Sequence, residues 1–265
     1  MKTNIFSLLW AFIQLKSNEK EDFMKRATSL FALSFLIISF LATPAKSQSA
    51  DDILKKMIDA MGGRKVLEKI QDTTISGSMD LTQMGLNATI TVYQKEPNKS
   101  RFDIEVMGML ITQACDGEIA WGTNPQTGMT EEMSEQQAEY MKRESLGNSV
   151  YLDPKKLGIT FTYKGKENIE GKDYLVLEQA YADGYKSTLC IDPDTYLAYK
   201  GKGKTLNNMG IEVEAETFFS DYKKVDGIMV AHTLVSYQDG EEFMTMTITE
   251  VKFNSALEDS LFAMN

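Results

Sequence analysis

From Thr73 to Phe253 the chain is built of short segments whose apolar residues recur at every second position, broken by turn dipeptides. In "GIEVEAET", Ile211, Val213 and Ala215 alternate with Glu212, Glu214 and Glu216. In "RFDIEVM", Phe102, Ile104 and Val106 stand opposite Arg101, Asp103 and Glu105. A period of two is the mark of a strand with one dry and one wet face. Reversals fall at Asp116-Gly117, Asp226-Gly227 and Asp239-Gly240, residue pairs that tolerate the left-handed backbone of tight hairpins. A meander of this length has to curl to hide its edges and its apolar side. The predicted class is α+β, mostly β. It is a single strongly curved antiparallel sheet of about eleven strands wrapped around an N-terminal helix and an inserted helix.

The two helices are marked by a different period. Ser49 is placed to cap "ADDILKKMIDAM", where Ile53, Leu54, Met57, Ile58 and Met61 make one apolar stripe and Gly62-Gly63 ends the run. "RKVLEKI" follows as a second, short helix. The meander is then interrupted by "TEEMSEQQAEYMKRES", residues 130–145. There Thr130 opens a predicted helix with Met133, Gln137, Tyr140 and Met141 along one side.

Ahead of these elements, residues 24–47 have the layout of a cleaved signal peptide: Lys25 and Arg26, an apolar run to about Ala42, then small residues before Gln48. Residues 1–23 read as an over-extended start, and residues 48–265 as a single domain of a size that supports one core. The first 47 residues hold six Lys/Arg and three Asp/Glu, which leaves 22 basic against 35 acidic residues, a net charge near −13. Nucleic acid is excluded as a partner, because phosphate binding needs a basic face.

Little in the chain suggests catalysis. His232 is the only histidine, and in "IMVAHTLVSY" it alternates with the apolar Val230 and Leu234. No G-x-S-x-G elbow accompanies it, and one histidine with two cysteines makes a poor zinc set. The reading is therefore no enzyme, no metal and no cofactor. Export makes a disulfide between Cys115 and Cys190 chemically permitted. Fourteen of the sixteen methionines lie beyond residue 47. Flexible thioethers suit surfaces that accept variable apolar shapes, and they equally suit an ordinary core.

With the strands placed, residues 95–128, "KEPNKSRFDIEVMGMLITQACDGEIAWGTNPQTG", resemble the periplasmic outer-membrane lipoprotein-sorting proteins, the LolA/LolB-like superfamily. So does the late stretch "FFSDYKKVDGIMVAHTL" with "MTITEVKFNSALEDSLF". The resemblance implies that the sheet is an incomplete β-barrel with the inserted helix as its lid, and that it carries acyl chains of lipoproteins or other lipids in an apolar cavity. It implies a periplasmic, monomeric protein with an inner-membrane donor and an outer-membrane acceptor. Alternation nominates Met79, Leu81, Ile90, Val92, Phe102, Ile104, Val106, Met244 and Met246 as the cavity lining. Ile53, Met57, Met133, Tyr140 and Met141 are the nominated lid contacts. One departure stands out: some carriers of the family place a lid-latching arginine just before the proline that matches Pro97, and here that residue is Glu96. A sensor or protein-interaction domain on the same fold, without lipid transport, remains the alternative.

Overall fold

Four hairpins turn on two residues that both have positive φ: Met107-Gly108, Glu170-Gly171, Asp226-Gly227 and Asp239-Gly240. This is the turn whose twist matches that of paired strands, and it sets the register from which the sheet follows. The computed structural model describes residues 48–124, 127–207 and 210–264. The expected leader and the segment upstream of it lie outside the described residues. Contacts group residues 48–265 as one unit.

The strands are β1 (Asp72–Leu81), β2 (Leu86–Lys95), β3 (Lys99–Val106), β4 (Met109–Cys115), β5 (Ala120–Thr123), β6 (Thr130–Glu132), β7 (Thr160–Ile169), β8 (Lys172–Ala180), β9 (Lys186–Ile191), β10 (Ala198–Leu206), β11 (Glu212–Val225), β12 (Ile228–Gln238) and β13 (Glu241–Phe253). They form one curved, unclosed antiparallel sheet in the order β6-β5-β4-β3-β2-β1-β13-β12-β11-β10-β9-β8-β7. The first and last long strands, β1 and β13, pair at its centre. Each half is a plain meander running outward from that seam. The pairing carries a bulge between Ser76 and Gly77, and a Cβ at Gly77 would collide with the Thr247 carbonyl oxygen. Glycine is what lets the two backbones approach there.

The helices are α1 (Ala50–Met61), α2 (Arg64–Leu67), α3 (Glu135–Glu144) and α4 (Ser149–Leu152). The Ser49 side chain accepts from Asp52 N at 3.1 Å, and Gly62 ends α1 as predicted. Beneath α1 lies the first core cluster. It joins Ile53, Leu54, Met57 and Ile58 to Leu67, Leu152, Leu175, Leu177, Ile191 and Ile228.

The curved antiparallel sheet expected from alternation is present, with thirteen strands among the described residues, and one expectation is corrected: the inserted helix starts five residues later than Thr130. Thr130–Glu132 pair with β5 as the edge strand β6. The helix is opened instead by a capping box between Ser134 and Gln137. Met133, taken for a helical residue, sits just ahead of this cap and packs against the third cluster, beside Ala138. The edge pairing satisfies backbone groups that a longer helix would have left exposed at the sheet margin.

Candidate functional site

The site is built on the concave face. Directly opposed residues of antiparallel strands share a face, so the register alone traces its rows. Leu234, Met246, Met79, Ala88 and Val106 follow one another across β12, β13, β1, β2 and β3. The next row runs from Ile248 past Gly77 to Ile90, Ile104 and Ile111, and a third from Val251 through Ile75 and Val92 to Phe102. All nine residues nominated as lining fall in this single cluster. Met79, Ile90, Val106 and Met246 are buried, and Leu81, Val92, Phe102, Ile104 and Met244 are half-buried.

This apolar floor occupies the middle strands, between two helices that stand on opposite flanks. α1 packs across β7 and β12. α3 packs on β4 and β5 through Met141 and Ala138, in a third cluster with Cys115, Ala120 and Phe102. Of the residues nominated as lid contacts, Ile53 and Met57 belong to the α1 cluster, and Met133 and Met141 belong to the α3 cluster. Tyr140 does something that alternation could not foresee. Its hydroxyl interacts with Thr205 of β10, far along the other half of the sheet. Its neighbour Arg143 reaches Asp183 in the β8–β9 turn at 2.6 Å and lies 4.3 Å from the Tyr185 ring centre. α3 is therefore anchored on β4–β5 and tied to β8–β10, and it spans the floor between them.

The chain just beyond its C-terminal end is held by Glu96. The carboxylate accepts from Asn148 N at 2.7 Å and from Ser149 Oγ at 3.1 Å, at the start of α4. It also lies against Gly147, where any Cβ would strike it. Glu96 thus fastens the helical insertion with a carboxylate where the resemblance implied an arginine. Lys95 and Arg101, the nearby cations, do not take part. Lys95 binds Leu257 O and Asp259, and Arg101 binds Leu261 O, so both hold the C-terminal segment. There Phe262 is fully buried and its carbonyl accepts from Trp121 Nε1 at 2.8 Å.

Burial pushes the Glu96 carboxyl above its ordinary pKa, outweighing the Asn148 and Ser149 hydrogen bonds. A carboxyl raised in the folded state favours folding while it is protonated, and that contribution fades as pH rises through its folded value. Glu96→Gln keeps the acceptor for Asn148 and cannot ionise. The variant is expected to gain stability relative to the parent between about pH 5 and 8, with no relative gain at pH 4. Thermal melts across that range check it.

His232 lies on the concave side in β12, between Val230 of the first cluster and Leu234 of the second. It is buried, and its Nδ1 is 2.9 Å from Val230 O. It packs and bonds locally. Glu212 and Glu216 lie on the opposite, wet face, paired with Lys204, and with Lys200 and Lys202. Among the described residues no three His, Cys, Asp or Glu side chains gather as metal ligands. Cys115 and Cys190 are both free and buried. They stand on β4 and β9 with seven strands between them, so the permitted disulfide is not formed. Burial and the Glu167 charge raise the Cys190 thiol to about 11, which leaves it a poor nucleophile. Among the described residues no helix is long and apolar enough to cross a membrane.

No family model matches the sequence, and no curated protein does either. Solved structures match its fold. A DUF1329 family protein from Desulfovibrio piger superposes with a TM-score of 0.55 at 16% identity, covering 81% of this chain and 97% of that one. A LolA superfamily protein from Nitrosomonas europaea gives 0.55 at 15% identity, covering 81% and 97%. A putative outer membrane lipoprotein-sorting protein domain from Vibrio parahaemolyticus gives 0.54 at 16% identity, covering 80% and 95%. The chain has a LolA-like fold.

Proposed function

We propose that this protein is a periplasmic carrier of acyl chains, those of lipoproteins or of other lipids, which it holds on the concave floor under α3. The leader at residues 24–47 would export it, and it would act as a monomer between an inner-membrane donor and an outer-membrane acceptor. The observation that carries the reading is the continuous apolar floor of β13, β1, β2 and β3, flanked by α1 and spanned by α3. Burial of apolar surface stabilises by about 25 cal/mol per Å², so an acyl chain needs no specific polar contact to be retained. The methionines at positions 79, 244 and 246 of that floor adapt to chains of different shape. The reading requires no chemistry on the cargo.

Ile104 is half-buried in the centre of the floor, so a polar side chain there meets the ligand before it disturbs the fold. Ile104→Asn is expected to weaken binding of a fluorescent acyl ester at least tenfold, with little change in Tm. Equal affinity in parent and variant, both folded, would remove the floor from the account.

The alternative, a protein-interaction domain, draws on the convex face. Tyr174, Tyr199, Phe218 and Tyr237 form a row of ring contacts across β8, β10, β11 and β12, with centroids 4.4, 5.7 and 5.6 Å apart. Purified protein that carries no lipid and takes up no acyl ester would favour that reading.

A further inference from the structure

The sheet is unclosed, so two strands form its margins, β6 and β7. β6 has three residues and carries Glu131 and Glu132, and both features blunt an edge. β7 has ten residues and pairs with β8 on one side alone. Among the described residues no backbone–backbone hydrogen bond beyond that ladder involves Thr160–Ile169. The outward N–H and C=O groups of such a strand are a template for another.

β7 is defended unevenly. In its second half Lys164 and Gly165 together face Val176 as a bulge, and Lys164 and Lys166 are exposed. Lysines and bulges on an edge discourage indiscriminate pairing. The first half, Thr160-Phe161-Thr162-Tyr163, has no charge, proline or bulge, and its residue types favour strands. Phe161 and Tyr163 are half-buried against the first cluster, where the Phe161 ring lies 6.3 Å from that of Tyr151 in α4. Thr160 and Thr162 are exposed. An added strand would continue both faces, with apolar residues beside Phe161 and Tyr163 and polar ones beside the threonines.

Charge decides what kind of strand fits. From Lys155 to Lys166 the chain holds four lysines and no acidic residue. The carboxylates that face them are Asp153, 3.0 Å from Lys156, Asp173, 4.0 Å from Lys166, and Glu178, 3.7 Å from Lys164 and shared with Lys186 at 3.8 Å. Glu167 is engaged by Lys200 at 2.8 Å. Five lysines against three carboxylates leave this stretch positive in an otherwise acidic chain. Beyond Lys166 the balance turns acidic, with Glu170, and with Lys172 held by both Asp192 and Asp194. A second copy of the chain would set Lys164 and Lys166 against their like, which disfavours it.

We propose that the first half of β7 is a docking edge for an extended acidic segment of another protein, which joins the sheet as one more strand. The inference stands whether or not the concave floor carries lipid.

The probes are eight-residue peptides blocked at both termini. Each has a core of two valine-threonine pairs, flanked on either side by two aspartates or, in the control, by two lysines. In fluorescence anisotropy at low ionic strength the parent is expected to bind the aspartate peptide about tenfold more tightly than the lysine peptide. Backbone N-methylation of the two valines and of the two threonines should differ about tenfold in effect, because only one set turns its N–H groups toward β7. Hydrogen exchange should slow within Thr160–Tyr163 when the aspartate peptide binds. In the double variant Lys164→Gln with Lys166→Gln, the aspartate preference should fall about threefold or more. Equal affinity for the two peptides in the parent overturns the acidic partner. Equal effects of the two methylations, or protection that spares β7, overturn strand addition. A preference unchanged in the double variant overturns the assignment to this edge. If neither peptide binds, or if sedimentation shows the parent pairing with a second copy that the peptide does not displace, the proposal falls.

Discussion

Leu177→Ala is expected to lower the unfolding free energy by about 3 kcal/mol, with a fall in Tm of about 6–12 °C and an unchanged denaturant m-value. Leu177 is fully buried on β8, opposite Leu189 and Tyr163, in the cluster capped by Ile53 and Met57 of α1. Truncation there removes transfer energy and leaves a cavity, because α1 is pinned at both ends and cannot follow. Ser49 caps its start, and Gly62 sits against the carbonyl of Gly227 at its end. Leu177 is absent from the second cluster, so acyl-ester affinity should persist in the folded variant. Urea unfolding and ester titration on the same sample check both halves. A stable variant would show that α1 does not brace this flank of the sheet.

Arg143→Ala is expected to speed release of a bound acyl ester about tenfold and to raise hydrogen exchange across α3. The guanidinium is mostly buried, and its bond to Asp183 and its contact with Tyr185 hold α3 to the β8–β9 turn. Charge-assisted hydrogen bonds of this kind contribute about 1.5–3 kcal/mol, enough to change an opening equilibrium tenfold or more. The pH sense also follows. Burial opposes ionisation of Asp183, but the Tyr185 N–H and Arg143 outweigh it and hold the carboxyl below the usual value. A depressed carboxylate stabilises above its unfolded pKa, and that contribution is lost as pH falls through the folded value. In the parent, ester release should therefore accelerate below about pH 4. In Arg143→Ala that acid step should be smaller, because the tie is already gone. Stopped-flow displacement of the ester between pH 3 and 7 measures it.

The local parts of this structure were legible because their causes are local. Alternation in β1, β2, β3 and β13 put nine residues on one face, and the strand pairings keep them there, since directly opposed residues cannot change sides without a bulge. The two bulges in this region, at Thr249 opposite Ser76–Gly77 and at Phe243 opposite Ser236–Tyr237, both fall in β13, and on β1 Met79 and Leu81 pair with Ala88 and Leu86. The Asp-Gly and Glu-Gly turns were equally direct signals. At Thr130 the reading went wrong because Thr-Glu-Glu suits a helix start as well as an edge strand, and only pairing with Trp121, Gly122 and Thr123 decides between them.

What depends on long-range closure was not readable. The seam of β1 on β13 brings together residues some 170 positions apart. Tyr140 with Thr205, Arg143 with Asp183, and Glu96 with Asn148 join elements whose spacing in the chain carries no period.

Photolabelling tests the central claim most directly. Purified protein would be loaded with an acyl ester that carries a diazirine along its chain, irradiated and digested, and the modified residues located by mass spectrometry. The account predicts label on concave-side residues of β1, β2, β3 and β13, among them Met79, Ile104 and Met244, and its loss when unlabelled ester competes. Label confined to the convex face, to Tyr199, Phe218 or Tyr237, or label that excess ester does not displace, would contradict it.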